Sequence, residues 1–416
     1  MTSRQRILMS CNHKEPDRVP IDFGSMRSTG ISAIAFNRLK KFLGYTGQPC
    51  LMYDFQQQLA YVGDMLRERF RVDSLDVGEA FIGDIASEWR EWKLPDGTDC
   101  FIPNHIDARR DAKGDVSLFD RWGVGVGFQP KSSLYADQIS FPYQQYEEIP
   151  QRLDKADYSH ILWSVPCFPF HLDYMNSEDD YQKFVQTIRS FREKTDKAIM
   201  ISFGNSFLEA CACIRGREKF LCDIYLDRPG TERLMDALLE DYLAALNRVF
   251  GDIADCVDIV EFDDDLGTQN GPWMDPNVIR ELFIPRYKKL WDCVHAASEC
   301  KVFMHNCGSI SSVLGYLIDA GLDIINPVQT SAANMDPEML KRKFGKDIVF
   351  WGGGCETQSI LADSTPDQVR DHVRRRIEIL SKDGGFVFNQ VHNILANVPP
   401  ENIVAMYDAA FEFGRY

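Results

Sequence analysis

The chain has 416 residues, of which 44% are hydrophobic and 26% are charged, with 46 Lys and Arg against 62 Asp and Glu. The net charge of −16 argues against a nucleic-acid binder, because so acidic a surface repels phosphate. No apolar run is long enough to span a membrane, and the N-terminal segment lacks the apolar core of a secretory signal, so we expect a cytoplasmic protein with reduced cysteines.

Short runs rich in β-branched and aromatic residues are typical of buried strands. Eight such runs lie at residues 19–24, 72–77, 198–204, 257–262, 302–307, 322–328, 348–353 and 385–391. Amphipathic stretches separate the last five runs. Three of these stretches begin at a proline, which favours a first helical turn: Pro276, Pro337 and Pro366. A further helix is predicted over 310–320, ending at Gly321.

Alternating strands and helices predict a parallel sheet with right-handed crossovers. Eight units favour a closed (β/α)8 TIM barrel that forms one domain over residues 1–416. The alternative is an open doubly wound sheet, but no GxGxxG motif follows the first predicted strand.

A long stretch over residues 78–197 interrupts the alternation after the second predicted strand. It is rich in Trp, Asp, Pro and Tyr, and its segment 88–101 predicts a hairpin with a turn at 95–97. We predict an insertion that forms a cap or an oligomer contact. Packing on the barrel rim without a functional role is the alternative.

The sharpest chemical feature is His305-Asn-Cys307 at the end of the fifth predicted strand. Residues two apart in a strand share a face, so this imidazole and thiol aim at one point. Such a pair suits zinc, which needs at least three protein ligands. Cys355 after the seventh predicted strand and His392 after the eighth are candidates for the others. The alternative is a buried cysteine beside a core histidine.

Three consecutive acids, Asp263, Asp264 and Asp265, follow the fourth predicted strand. Adjacent like charges cost energy unless they are solvated, paired or bound to a ligand. We predict that Asp264 faces the cavity as a hydrogen-bond acceptor or a general acid or base. A solvated loop or a helix cap is the alternative.

Four further polar residues at or near strand ends are predicted to contact substrate. They are Asp22, Asn205, Gln269 and Gln329. For Asn205 a role as a helix N-cap is the alternative. The motifs of a serine nucleophile elbow, a P-loop and an EF-hand do not occur in the sequence.

Several short segments, taken together in their order and spacing, resemble the uroporphyrinogen decarboxylase superfamily. They read RVPID at 18–22, SFGNSF at 202–207, DDDLGTQ at 263–269, MDP at 274–276, HNCG at 305–308, WGG at 351–353, VHNI at 391–394 and PPEN at 399–402. This resemblance implies a single-domain (β/α)8 barrel and one of two chemistries. Metal-free decarboxylases carry an RQAGRY stretch after the first strand, and here residues 24–30 read GSMRSTG, with Arg27 as the one counterpart.

The second branch comprises the cobalamin-dependent methyltransferases, including methylcobamide:coenzyme M methyltransferases, which carry a His-x-Cys…Cys zinc motif. His305 and Cys307 match its first two ligands. After the eighth strand, where that branch has its last cysteine, this chain has His392, which is also similar to a histidine kept by the decarboxylases. His392 is thus predicted as a catalytic residue, and the third zinc ligand is His392, Cys355 or both. The departure also implies a substrate other than coenzyme M.

The function implied by this resemblance is zinc-dependent transfer of a methyl group between a small molecule and a corrinoid, in a demethylation system. The corrinoid is expected on a partner protein, because this chain has no Asp-x-His-x-x-Gly motif. A homodimer is also implied. A metal-free decarboxylase of the uroporphyrinogen type and a non-catalytic binding barrel are the alternatives.

Overall fold

The structure is a computed structural model that describes residues 1–165, 177–204 and 206–416. In this described part, seven parallel strands form the central sheet. In chain order they are Ser74–Asp76, Ala198–Gly204, Ile259–Asp263, Lys301–His305, Ile324–Asn326, Val349–Trp351 and Phe386–Val387, and each is paired with the next. The short βα repeats of the sequence therefore produce one curled parallel sheet.

Residues 19–22 close the sheet into a barrel. Ile21 bridges Phe388 in parallel, and the N–H of Phe388 donates to the carbonyl of Pro20 at 2.8 Å. On the other side, the N–H of Asp73 donates to the carbonyl of Ile21 at 2.7 Å. With this segment as barrel strand one and the others as two to eight, the predicted (β/α)8 barrel is confirmed.

Helices cover the outside of the barrel. The longer ones are Ala33–Phe42, Gly63–Phe70, Glu178–Glu193, Leu208–Arg215, Arg217–Leu226, Arg228–Ile253, Ile284–Ala297, Leu314–Asp319, Pro337–Phe344, Pro366–Leu380 and Pro400–Phe413. Shorter helical turns are Arg27–Thr29, Val77–Phe81, Ile85–Glu88, Lys155–Tyr158, Leu162–Ser164, Pro276–Val278, Ile279–Phe283 and Ile360–Asp363. None of the described helices combines the length and apolar character that a bilayer crossing requires.

Three predicted helix starts are confirmed. Helices begin at Pro276, Pro337 and Pro366, and the side chain of the residue before each proline accepts a backbone N–H of the first turn. The helix predicted over 310–320 is shorter, running from Leu314 to Asp319.

The lower half of the barrel interior is apolar. The N-terminal helix Ser3–Cys11 packs under the strands, and the Ser10 hydroxyl donates to the carbonyl of Phe386 at 2.7 Å. Inward-facing residues form one buried cluster with this helix: Ile7, Cys11, Met26, Ala198, Met200, Ile259, Phe303, Ile324, Val349, Trp351 and Val387. Side chains two residues further along the same strands also point inward, toward the C-terminal ends of the strands. Several of these are polar, such as Glu261 and His305.

The stretch 78–197 forms antiparallel sheets beside the barrel mouth and ends in the barrel helix Glu178–Glu193. The predicted hairpin is confirmed as strands Trp89–Lys93 and Asp99–Pro103. A four-stranded sheet follows, formed by Asp107–Arg110, Val116–Phe119, Gly125–Gln129 and Asp137–Gln138. A second, unpredicted sheet joins Ile31–Ser32, Met52–Asp54 and Leu59–Ala60 after barrel strand one.

Candidate active site at the barrel mouth

A cavity of about 960 Å³ opens at the C-terminal ends of the barrel strands. Strand ends line its floor, and residues of the stretch 78–165, such as Gln138 and Trp163, line its outer wall. Cavities of this size hold small organic molecules. The insertion therefore contributes to the site instead of only decorating the rim.

The end of barrel strand five brings an imidazole and a thiol together. The Cys307 sulfur lies 3.3 Å from Nε2 of His305, although the regular strand ends at His305. The Cys307 N–H donates to Oδ1 of Asp265 at 2.7 Å. Gly308 follows with φ of +85°, and a Cβ there would lie 2.5 Å from the backbone of Gly267, so only glycine fits this turn.

The tautomer of His305 is set by Asn326, its neighbour on barrel strand six. The Asn326 amide donates to the Trp351 carbonyl at 2.8 Å, which turns its oxygen toward His305. Nδ1 of His305 therefore donates to Oδ1 of Asn326, at 2.6 Å. The lone pair of the ring is thus on Nε2, the nitrogen that faces Cys307.

His392 joins this pair from the loop after barrel strand eight. Its ring centroid lies 5.3 Å from that of His305. Its backbone has the left-handed φ of +65°, a conformation that costs energy in a non-glycine residue. The loop is held on both sides, since the Val391 N–H donates to the Cys355 carbonyl at 2.8 Å and Asn393 accepts the Gly30 N–H at 2.9 Å.

The ligand atoms of His305, Cys307 and His392 all lie within 4.8 Å of one another. Burial and the nearby His305 lower the pKa of His392 to about 4, so its imidazole is neutral at pH 7. Cys355, the other candidate ligand, is not in this group. Its thiol is fully buried and its sulfur lies 3.8 Å from the carbonyl oxygen of Glu356. Of the two alternatives for the third ligand, the geometry favours His392.

Carboxyl groups form the other part of the floor. Glu261 and Asp263 face inward from barrel strand four, and Asp76 does so from barrel strand two. Burial raises the pKa of Glu261 to about 7 and that of Asp76 to about 8. Burial, with the carboxyls of Glu261 and Asp264, also raises the pKa of Asp263 well above its usual range.

These raised pKa values predict that the protein becomes less stable as pH rises from about 5 to 8. The folded chain holds protons on Glu261 and Asp76 that the unfolded chain releases near pH 4, so ionising them above that pH favours unfolding. Glu261→Gln should flatten this slope and raise the free energy of unfolding at pH 8 by roughly 1–3 kcal/mol. Urea unfolding at several pH values measures it, with exposed Glu378→Gln as the control; equal slopes for Glu261→Gln and the unchanged protein would contradict the prediction.

The catalytic role predicted for Asp264 stays a prediction. Asp264 borders the cavity, but it is only 1% exposed and its carboxyl group is held by hydrogen bonds within the protein. It accepts the backbone N–H groups of Phe207, Leu208 and Glu209 at 2.8, 2.8 and 2.9 Å and the Tyr287 hydroxyl at 2.5 Å. Asp264 therefore caps the helix Leu208–Arg215.

Asp22 also lies away from the cavity, contrary to the prediction that it contacts substrate. It is fully buried below the floor, where its carboxylate accepts the Trp351 indole N–H at 2.8 Å and the Ser25 N–H at 3.0 Å. These bonds tie barrel strand one to strand seven. Its role is therefore structural.

The two predicted glutamines pair with each other on the rim. Gln329 donates to Gln269 at 3.0 Å and accepts the N–H of Gly308 at 2.9 Å. Neither is among the described cavity-lining residues, so the prediction of substrate contact is not supported for either. The pair instead supports the turn after His305. Asn205, the fourth predicted contact, lies outside the described residues.

A family model described as uroporphyrinogen decarboxylase (URO-D) matches residues 171–413, more than half of the chain. The chain belongs to the uroporphyrinogen decarboxylase family. Among curated proteins, none matches it in sequence.

One of three solved structures compared with this family member supports its fold. A methyltransferase from Methanosarcina mazei has a TM-score of 0.56 and 14% identity, with 99% of both chains covered. A GH10 endoxylanase from a sugarcane soil metagenome has a TM-score of 0.34 and 8% identity, with 58% of this chain and 82% of that chain covered. A beta-glucosidase from Pyrococcus furiosus has a TM-score of 0.35 and 9% identity, with 83% and 82% covered. The last two scores are too low for any conclusion.

The sequence analysis assigned no individual role to several polar residues that line the cavity of this uroporphyrinogen decarboxylase family member. They are Asp76, Ser202, Glu261, Asp263 and Asp265, together with Ser206. Glu261 and Asp263 could have been found, because they share the parity of the apolar Ile259, which faces the barrel axis. Arg27, noted only as a counterpart of a family arginine, also lines the cavity and forms an ion pair with the buried Asp54.

Proposed function

We propose that this chain is a methyltransferase that moves a methyl group between a small-molecule substrate and the corrinoid of a partner protein, with zinc held by His305, Cys307 and His392. The observation that carries the proposal is the convergence of these three side chains within 4.8 Å at a cavity of ligand size. The fold likeness to a protein described as a methyltransferase from Methanosarcina mazei is consistent with it.

The donor set suits zinc in a catalytic site. Two nitrogen ligands and one sulfur ligand leave a fourth position for substrate. Tetrahedral zinc with ordinary bond lengths places its nitrogen and sulfur ligands about 3.5 Å apart, close to the 3.3 Å between Nε2 of His305 and the Cys307 sulfur. The lone pair on Nε2 of His305 and the neutral ring of His392 are both available to a metal. When bound, zinc supplies a Lewis acid that polarises the bond between a methyl group and its oxygen, nitrogen or sulfur.

The protein itself positions and shields the reacting groups. Asn326 holds His305 in one tautomer, and Asp265 holds the backbone of Cys307. The insertion, through residues such as Trp163, walls one side of the cavity against water. The polar floor and its apolar neighbours then orient a small molecule against the three ligands.

The alternative within the family is a metal-free decarboxylase of a polycarboxylate. Such a substrate needs several free cations in the cavity. Of the basic residues that line the described cavity, Arg27 pairs with Asp54 and Arg217 pairs with Glu209. Lys219 lies on the rim and donates to backbone carbonyl groups. The floor formed by Asp76, Glu261 and Asp263 supplies no cation for a carboxylate. The charge of the cavity thus favours the methyltransferase.

The proposal is tested by methyl transfer to free Co(I) cobalamin as the acceptor probe. Zinc-loaded protein is mixed with separate donors: an aryl methyl ether, a quaternary methylammonium, a methyl thioether and methanol. Conversion to methylcobalamin, followed by its absorbance, should exceed the uncatalysed rate at least about tenfold for one donor, and Cys307→Ser should abolish the excess. No excess with any donor, or conversion of uroporphyrinogen by the same preparation, would overturn the proposal.

A further inference from the structure

The acidic groups of the cavity floor have no ion pair of their own in the described part of the chain. Asp76, Glu261 and Asp263 all line the cavity, and Glu261 is only 3% exposed. Burial without a paired cation raises their pKa values, so a bound cation would favour their ionised forms.

The basic side chains of the cavity pair with other groups, although the charge of Arg27 also acts on Glu261 and Asp263. Arg27 pairs with the buried Asp54. Arg217 forms two hydrogen bonds with Glu209, each at 2.8 Å. Lys219 donates to backbone carbonyl groups on the rim, including that of Gln144 at 2.9 Å. None of these three basic side chains forms one of these contacts with Asp76, Glu261 or Asp263.

Within the described residues, polar atoms at the floor lack a hydrogen-bond partner, among them one on Asp263 and one on Ser206. Oδ1 of Asp263 is shielded from solvent, and the hydroxyl of Ser206 belongs to a residue that is 1% exposed. Buried polar atoms are rarely left unsatisfied in folded proteins. Both residues line the cavity, where a bound molecule would supply partners.

The same cavity has aromatic walls. Phe203 and Tyr242 line it from barrel strand three and the helix Arg228–Ile253, and Trp163 lines it from the insertion. Aromatic faces attract cations and are used to recognise quaternary ammonium ligands. Carboxyl groups and aromatic rings thus line the same cavity.

We propose that this cavity recognises a substrate that carries a methylated ammonium or sulfonium group, seated against Glu261 and Asp263. This inference deepens the proposed function, on which the role of that substrate as methyl donor rests. Asp263 and His305 are register partners on adjacent barrel strands, so the cation site adjoins the proposed zinc ligands. The selectivity for charge is a property of the cavity and is measurable without any transfer reaction.

Choline and its neutral isostere 3,3-dimethylbutan-1-ol provide the probe pair, with 3,3-dimethylbutanoate as the anionic member. Isothermal titration with the full chain, both zinc-free and zinc-loaded, measures their dissociation constants. Choline should bind at least about tenfold more tightly than the neutral alcohol, and the anion should bind most weakly. Equal binding of choline and the alcohol, tighter binding of the anion, or no binding of choline at millimolar concentration would each overturn the inference.

Variants then locate the charge that is responsible. Glu261→Gln and Asp263→Asn should each reduce the preference for choline at least about threefold, while exposed Glu378→Gln should leave it unchanged. Circular dichroism checks that each variant is folded. If both cavity variants keep the full preference for choline over the neutral alcohol, the assignment of the cation site to Glu261 and Asp263 is overturned. Failure of the zinc and transfer tests with intact choline preference would reject the proposed function alone, and the reverse result would reject this inference alone.

Discussion

Replacing Cys307 by serine is expected to remove tightly bound zinc from the purified protein and with it any methyl transfer. The thiol is one of three converging ligands, and two imidazoles without a thiolate bind zinc at least about 100-fold more weakly. Elemental analysis should find about one zinc per unchanged chain and little in Cys307→Ser. Competition with a chromogenic chelator gives the affinity.

Two further substitutions make this result specific. Cys355→Ala should keep its zinc, because that thiol is fully buried and lies outside the group of three ligands. Asn326→Ala should weaken zinc binding about 10- to 100-fold, because His305 loses the acceptor that fixes its tautomer. Zinc loss from Cys355→Ala together with retention by Cys307→Ser would contradict the assignment of ligands.

Replacing Asp264 by alanine is expected to lower the free energy of unfolding by about 3–5 kcal/mol. Three backbone N–H groups at the start of the helix Leu208–Arg215 and the buried Tyr287 hydroxyl would lose their acceptor. Urea unfolding followed by circular dichroism measures the loss. Asp264→Asn keeps one acceptor oxygen and should fall between the alanine variant and the unchanged protein.

The neighbouring acid provides the control for this prediction. Asp265 has a side chain that is 39% exposed and accepts one backbone N–H, that of Cys307. Asp265→Ala should therefore lower stability by only about 1 kcal/mol. An Asp264→Ala variant that is as stable as the unchanged protein yet inactive would instead support the catalytic role that strand alternation suggested.

The features that could be predicted from the sequence depend on residues close together in the chain. The pair His305 and Cys307 is two residues apart on one strand, and helix starts at Pro276 and Pro366 depend on local capping. At the triple acid, strand alternation was less informative. The sequence does not show that Ile259 faces the barrel axis, so it does not show which of the three acids does. Strand alternation shows which side chains share a face, but one residue of known orientation is needed to tell which face points into the barrel.

The remaining parts of the site come from long-range contacts. His392 reaches His305 only because residues 391–394 are held by hydrogen bonds to segments far away in sequence, and its backbone adopts a left-handed conformation that no pattern indicates. Asp76 and Arg27 join the cavity through barrel closure and the unpredicted sheet near Met52–Asp54. Tertiary placement of this kind has no local signature.

The N-terminal helix Ser3–Cys11 packs its Ile7 and Cys11 among the apolar side chains at the lower end of the barrel. Among the described residues, this packing closes the lower end of the barrel, and the cavity opens at the C-terminal ends of the strands. Under the proposed function, a small methyl donor and a docking protein would use that same opening, one after the other. Initial-rate kinetics would then show a compulsory order of addition, in which excess of the larger partner blocks entry of the smaller.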